Sequence, residues 1–151
     1  VAVMLRYEGL AKGCCTQRQI EDYGKFLISK ISEAQLIVKR CVDDESFSAT
    51  KNHCHDNVDE YCNINKNANP IRGWICVDAV ASPFVIFVSH SIVRMVSGEL
   101  IDITPMNKDL QEYKFLPSYL NDEEFAELVE HLFVNQGNTN IMVKNPHKAG
   151  F

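Results

Sequence analysis

The stretch that decides the fold is FVIFVSHSIVRMVSGELIDITP, residues 84–105. Phe84 to Val96 is a long run of β-branched and aromatic residues and reads as a strand. Glu99 to Thr104 reads as a second strand, and Ser97 and Gly98 between them mark a hairpin. Two polar residues interrupt this apolar pair: His90 in the first arm and Asp102 in the second. A histidine inside so apolar a strand needs a partner, and the hairpin register decides whether Asp102 can be that partner. A two-residue turn at Ser97-Gly98 pairs Val96 with Glu99 and sends the two side chains to opposite faces. A three-residue loop, Val96-Ser97-Gly98, pairs Met95 with Glu99 and places Gly98 where such loops want glycine. Asp102 then faces Ile92, and His90 is its diagonal neighbour on the same face, roughly 7–8 Å away at the backbone.

Working outward, Ile71 to Val80 reads as a strand before the hairpin and Tyr113 to Leu116 as a short one after it. The cluster NINKNANP, residues 63–70, breaks the chain. Before it, a short helix is expected from about Asn52 to Asn63, with Val58, Tyr61 and Cys62 as its apolar face. Nearer the N-terminus, Ile20, Tyr23, Phe26, Leu27 and Ile31 recur at helical spacing from Gln17 to about Ala34, behind Thr16 as cap. Residues 1–8 suit a short strand and Gly9 to Cys15 a loop, while Gln35 to Val42 suits either helix or strand. Asn121 to Val134 is the strongest helix, with a capping Asn121 and acids in its first turn. The last 15 residues are polar and expected to pack loosely. Helices and strands are segregated, so the expected class is α+β: an antiparallel sheet of about 4–5 strands with helices packed on one side.

Composition narrows the function. The chain has 151 residues, a net charge of −5, 46% hydrophobic and 23% charged residues. That is a single-domain length, residues 1–151, with a catalytic-like core at about 50–116 and a C-terminal helix at about 121–135. Fifteen Lys and Arg are spread along the chain without a basic stripe, which argues against nucleic acid as a partner. No apolar run reaches membrane-spanning length, and Val1 to Leu5 is too short to read as a signal peptide. The six cysteines, Cys14, Cys15, Cys41, Cys54, Cys62 and Cys76, have irregular spacing and suggest reduced thiols rather than a disulfide framework. A cytoplasmic accessory enzyme is the expectation, with secretion as a toxin-like effector left open.

One cysteine invites chemistry. Cys54 lies in NHCHDNV, and with Asn52 as cap it falls in the first turn of the short helix. There, unpaired backbone N–H groups and the helix dipole favour a thiolate and can hold an oxyanion. Neighbours His53 and His55 point in other directions on a helix. The ordered trio of helix-start Cys54, strand His90 and next-strand Asp102 supplies a nucleophile, a base and a group that orients the base. Asn57, one turn from Cys54, could lend an amide to substrate. Trp74 suits either a pocket wall or core packing.

The same residues carry a resemblance. Cys54-His55-Asp56-Asn57-Val58, Arg72-Gly73-Trp74, His90-Ser91-Ile92-Val93, Gly98 to Pro105 and Phe115-Leu116 resemble a group of bacterial proteins with the pattern CHxNV, GW, HSVV, GxLxDxTP, FL. In order and placement the trio is similar to the papain-like and transglutaminase-like thiol hydrolase superfamily. The resemblance covers residues 52–116. It implies a papain-like core, with Cys54 as nucleophile, His90 as base and Asp102 as orienting group, no cofactor, and a protein or peptide-like substrate.

Two rival readings remain. The acids of the C-terminal helix, Asp122, Glu123, Glu124, Glu127 and Glu130, could serve a non-catalytic protein-binding or immunity-type module. Zinc is the third reading, but there is no CxxC pair, and Cys54 and Cys62 lie about 12 Å apart along a helix.

Overall fold

The computed structural model describes residues 6–10, 15–79, 81–106 and 112–148. The first five residues of the expected N-terminal strand, and Cys14 of the Cys14-Cys15 pair, lie outside them. The described elements are α1 (Gln17–Ser29), a short 3-10 turn (Ile31–Glu33), β1 (Gln35–Lys39), α2 (Cys54–Ile64), β2 (Asn69–Val77), β3 (Phe84–Arg94), β4 (Leu100–Asp102), β5 (Glu112–Pro117), α3 (Asp122–Gln136) and β6 (Asn140–Lys144). The class is α+β.

The sheet has six strands in the order β2-β5-β1-β4-β3-β6. An additional pairing of β2 with β3 closes five of them into a barrel, and β6 lies outside the ring on the edge of β3. This corrects the expected antiparallel sheet. β1 runs parallel to β4, because QLIVK forms a strand rather than the tail of α1 and has the gap between β5 and β4 to fill. The loosely packed tail is corrected too. β6 pairs with β3 from Phe84↔Lys144 to Val88↔Asn140 and buries Ile141.

Side chains alternate faces along a strand, and the clusters follow that rule. Trp74, Val85, Phe87 and Leu116 meet α1 and α3 through Tyr23, Leu27, Phe125 and Leu128. Val93, Ile101 and Ile103 meet α2 through Val58 and Tyr61, with Phe47 of the preceding loop. The residues of opposite parity, Ile37, Ile75, Ile92, Tyr113 and Phe115, pack on one another inside the ring.

Glycine is needed at two positions, once for backbone conformation and once for space. Gly98 has φ +89° and closes the β3–β4 loop. A Cβ on Gly73 would collide with the Leu116 carbonyl oxygen, so glycine lets β2 approach β5 directly beside His90, its cross-strand partner.

Candidate active site

The hairpin takes the three-residue loop. Met95 N–H donates to Glu99 O at 2.8 Å and Gly98 N–H to Met95 O at 2.8 Å, and the ladder continues as Arg94↔Leu100 and Val93↔Ile101. The next pair in this register is Ile92 with Asp102, which puts His90 diagonal to Asp102 on one face. Their side chains meet: His90 Nε2 donates to Asp102 Oδ2 at 3.0 Å. Both are buried, His90 to 2% exposure and Asp102 to 1%.

Asp102 is fully engaged. Its Oδ2 also accepts from the Tyr113 hydroxyl at 2.7 Å, and its Oδ1 from the Thr104 N–H at 2.9 Å. Lys39 Nζ stands 4.0 Å from Oδ2. Burial pushes the carboxyl up, but the bond and charge of His90 and the donors of Thr104 and Tyr113 outweigh it and hold the group below its ordinary value. Tyr113 lies edge-on to the His90 ring, 5.7 Å between centroids. Burial and the neighbouring Asp102 charge push its phenol well up, so it stays a donor.

Cys54 comes to His90 through a break in the sheet. One edge of β3 is covered by β2 from Ile86 to Arg94. On the other edge β6 ends its pairing at Val88 and β4 begins at Val93. Ser89 N–H still donates to Thr139 O, so the break falls at His90 and Ser91, and α2 meets β3 there through His55 on Ser91. The start of α2 is tied down by the chain that follows β4. Asn52 N–H donates to Pro105 O at 2.9 Å, and Asn57 Nδ2 donates to Thr104 Oγ1 at 3.1 Å.

The helix begins one residue later than Asn52 as cap would give. Asn52 takes a left-handed backbone (φ 64°), a conformation asparagine tolerates. His53 is the cap and makes no side-chain capping bond. Cys54 is therefore the first helical residue, where the N–H groups of the opening turn have no partner within the helix.

The half-buried Cys54 thiol is in hydrogen-bond contact with two imidazoles, His55 and His90. Burial pushes the thiol up, yet the two bonds and the positive charge of the rings bring it down to about 5. His90 moves the opposite way. Burial lowers it, but the bonds and charges of Asp102 and Cys54 raise it to about 9. Between those values the favoured state is a thiolate beside an imidazolium.

His55 is the residue that sequence reasoning passed over. Its Nδ1 lies 2.5 Å from Ser91 Oγ, and Arg72 Nη1 donates to that same oxygen at 2.9 Å. A guanidinium can only donate. The Ser91 hydroxyl accepts from Arg72 and bonds Nδ1 of His55 as well, which leaves Nε2 of that ring for the sulfur. Arg72 is in turn held by Asp59 in an ion pair. The available signal was strand alternation: Ser91 must face opposite to His90, and the β2–β3 ladder pairs it with Arg72.

Asn57 and Trp74 are both engaged within the fold. Asn57 is 2% exposed and its amide is consumed. Nδ2 donates to Thr50 O at 2.7 Å and to Thr104 Oγ1, and Oδ1 accepts from the Thr50 N–H at 2.9 Å. It pins the start of α2. Trp74 is fully buried on the helix-covered face, with Nε1 donating to Tyr23 Oη at 2.9 Å and its ring against Phe125. It is core.

Among the described cysteines, Cys41, Cys54, Cys62 and Cys76 are free thiols. Among the described residues no three His, Cys, Asp or Glu side chains converge as a metal ion would need, and no helix is long and apolar enough to cross a membrane. No family model matches the chain, nor does any curated protein or solved structure.

Proposed function

We propose that this chain is a thiol-dependent hydrolase or acyltransferase that acts on an amide or acyl bond of a protein or peptide-like substrate, through a Cys54-His90-Asp102 triad of papain-like order. The observation that carries the reading is the thiol of Cys54 in contact with His90 while Asp102 occupies the other side of that ring. A buried histidine with a satisfied carboxylate partner would be ordinary structure. A helix-start thiol lowered to about 5 against its own burial is not explained by packing.

The chemistry follows from the parts. The Cys54 thiolate attacks the carbonyl carbon, forming a C–S bond and an oxyanion. The N–H groups of the first turn of α2, which lack partners within the helix, supply donors for that oxygen. His90 gives its proton to the leaving group as the old bond breaks, which leaves a thioester on Cys54. Water or an amine then loses its proton to His90, attacks the thioester and expels the thiolate. Asp102, fixed by Tyr113 and Thr104, holds the imidazole in one tautomer throughout.

The test is an acyl-transfer assay with a p-nitrophenyl ester. One equivalent of p-nitrophenol should appear in a burst that Cys54→Ala abolishes. Acylation needs the proton off Cys54 and on His90, so the rate of the burst should rise through about pH 5 and fall through about pH 9. Those limbs belong to the thiol–imidazole pair as a whole. A chain that gives no burst, and whose exposed thiols all alkylate alike, would be a binding module instead.

A further inference from the structure

A groove of about 630 Å³ runs between α2 and α3 on the far side of His55. Ligand sites usually fall in the range of roughly 300–1,000 Å³, so the space suits a short peptide segment. Its floor is the apolar face of α3: Phe125, Ala126, Val129 and Phe133. Phe133 is 61% exposed. The Phe125 ring lies edge-on to His55, 5.7 Å between centroids, and His55 in turn touches the Cys54 thiol. One imidazole therefore stands between the groove and the sulfur.

The rim is lopsided in charge. Asp59, Asp122, Glu123 and Glu130 border the groove, and Arg72 is the one Lys or Arg among the described residues that line it. Arg72 is already committed: it is ion-paired with Asp59, lies 3.8 Å from Asp122, and donates to Ser91. An anionic ligand would meet net repulsion, while an apolar group carrying a positive charge would meet an apolar floor and an acidic border.

We infer that this groove is the substrate-recognition site of the proposed thiol hydrolase and takes a peptide segment with a large apolar side chain next to Lys or Arg. The inference rests on the proposed function for what happens at Cys54, but recognition in the groove can be read without catalysis.

The experiment measures binding of two fluorescein-labelled tetrapeptides by anisotropy, one carrying Phe-Lys and the other Phe-Glu at the same positions. The protein is wild type or Ala126→Trp, which fills the groove from an exposed helix position. The wild type should bind the Lys peptide at least about tenfold more tightly, with the gap narrowing at high salt. Ala126→Trp should weaken binding of the Lys peptide by at least about tenfold and leave the rate of iodoacetamide alkylation at Cys54 unchanged. Equal affinity for the two peptides, or undiminished binding by Ala126→Trp, overturns the inference. So does a concentration-dependent dimer in sedimentation that Ala126→Trp abolishes, since a second copy would then be the occupant. Alkylation of Cys54 no faster than that of the other thiols would sink the thiol chemistry, while peptide binding in the groove would still stand or fall on the anisotropy data.

Discussion

Cys54 and Cys76 are both half-buried free thiols, and the structure sets them on opposite courses. Cys76 stands near the end of β2, with the Trp74 carbonyl 3.9 Å from its sulfur. Burial pushes it up to about 12; Lys114 offsets this slightly and Asp78 adds to it. Cys54 meets the same burial but comes down to about 5, because His55 and His90 donate to it. The difference teaches that burial alone makes a thiol inert. A thiol becomes reactive when the burial includes donors that prefer its ionised form.

The comparison can be broken most directly by alkylation at pH 7. Cys54 is nearly all thiolate there, while about one Cys76 in 10⁵ is ionised on a value of about 12. The lower intrinsic nucleophilicity of a low-pKa thiolate returns roughly three of those five powers of ten. Cys54 should therefore react with iodoacetamide on the order of a hundredfold faster than Cys76. Mass spectrometry of tryptic peptides reads the ratio, and a ratio near one would erase the distinction.

A second intervention asks which donor makes the difference. His90→Gln removes the imidazolium and leaves His55 in place. The pH midpoint for alkylation of Cys54 should move up from about 5, and the rate at pH 6 should fall by more than about tenfold. An unmoved midpoint would transfer the effect to His55.

Ser91→Ala gives the smallest effect and the sharpest reading. It takes away the hydroxyl that fixes the His55 ring but touches neither Cys54 nor His90. With one ordinary hydrogen bond lost, acylation should slow by roughly three- to tenfold. The alkylation midpoint should move up less than in His90→Gln, because His55 is loosened but not removed and His90 keeps its bond and charge on the sulfur. A shift in that midpoint as large as that of His90→Gln would mean that the two imidazoles do not act separately.

The legible parts of the molecule share a physical cause. The hairpin could be read because Gly98 supplies the positive φ of a three-residue loop, and register then follows by counting. That count is what joins His90 to Asp102. The α3 helix could be read from its capping box, in which Asn121 accepts from the Glu124 N–H at 2.8 Å. The less legible parts depend on distant partners. QLIVK could extend α1 or form a strand, and only the space between β5 and β4 makes it β1. NIMVK looked like a loose tail because its gain comes from the open edge of β3 and from packing on α1, where Val143 lies so close to Gly24 that a Cβ would come within 2.7 Å of it.

At the site, the order of Cys54, His90 and Asp102 and the face that carries the last two were properties of the sequence, because a strand has a period of two and a turn has a fixed length. The tertiary structure alone decided the rest. It left a break in strand pairing beside His90 and Ser91 between β6 and β4, brought the start of α2 to that break, and turned His55 toward the same sulfur. It also spent Asn57 on anchoring the helix and Trp74 on the core. Those outcomes depend on which strands close the barrel, and closure is set by the sum of many weak contacts across the chain rather than by any local pattern of residues.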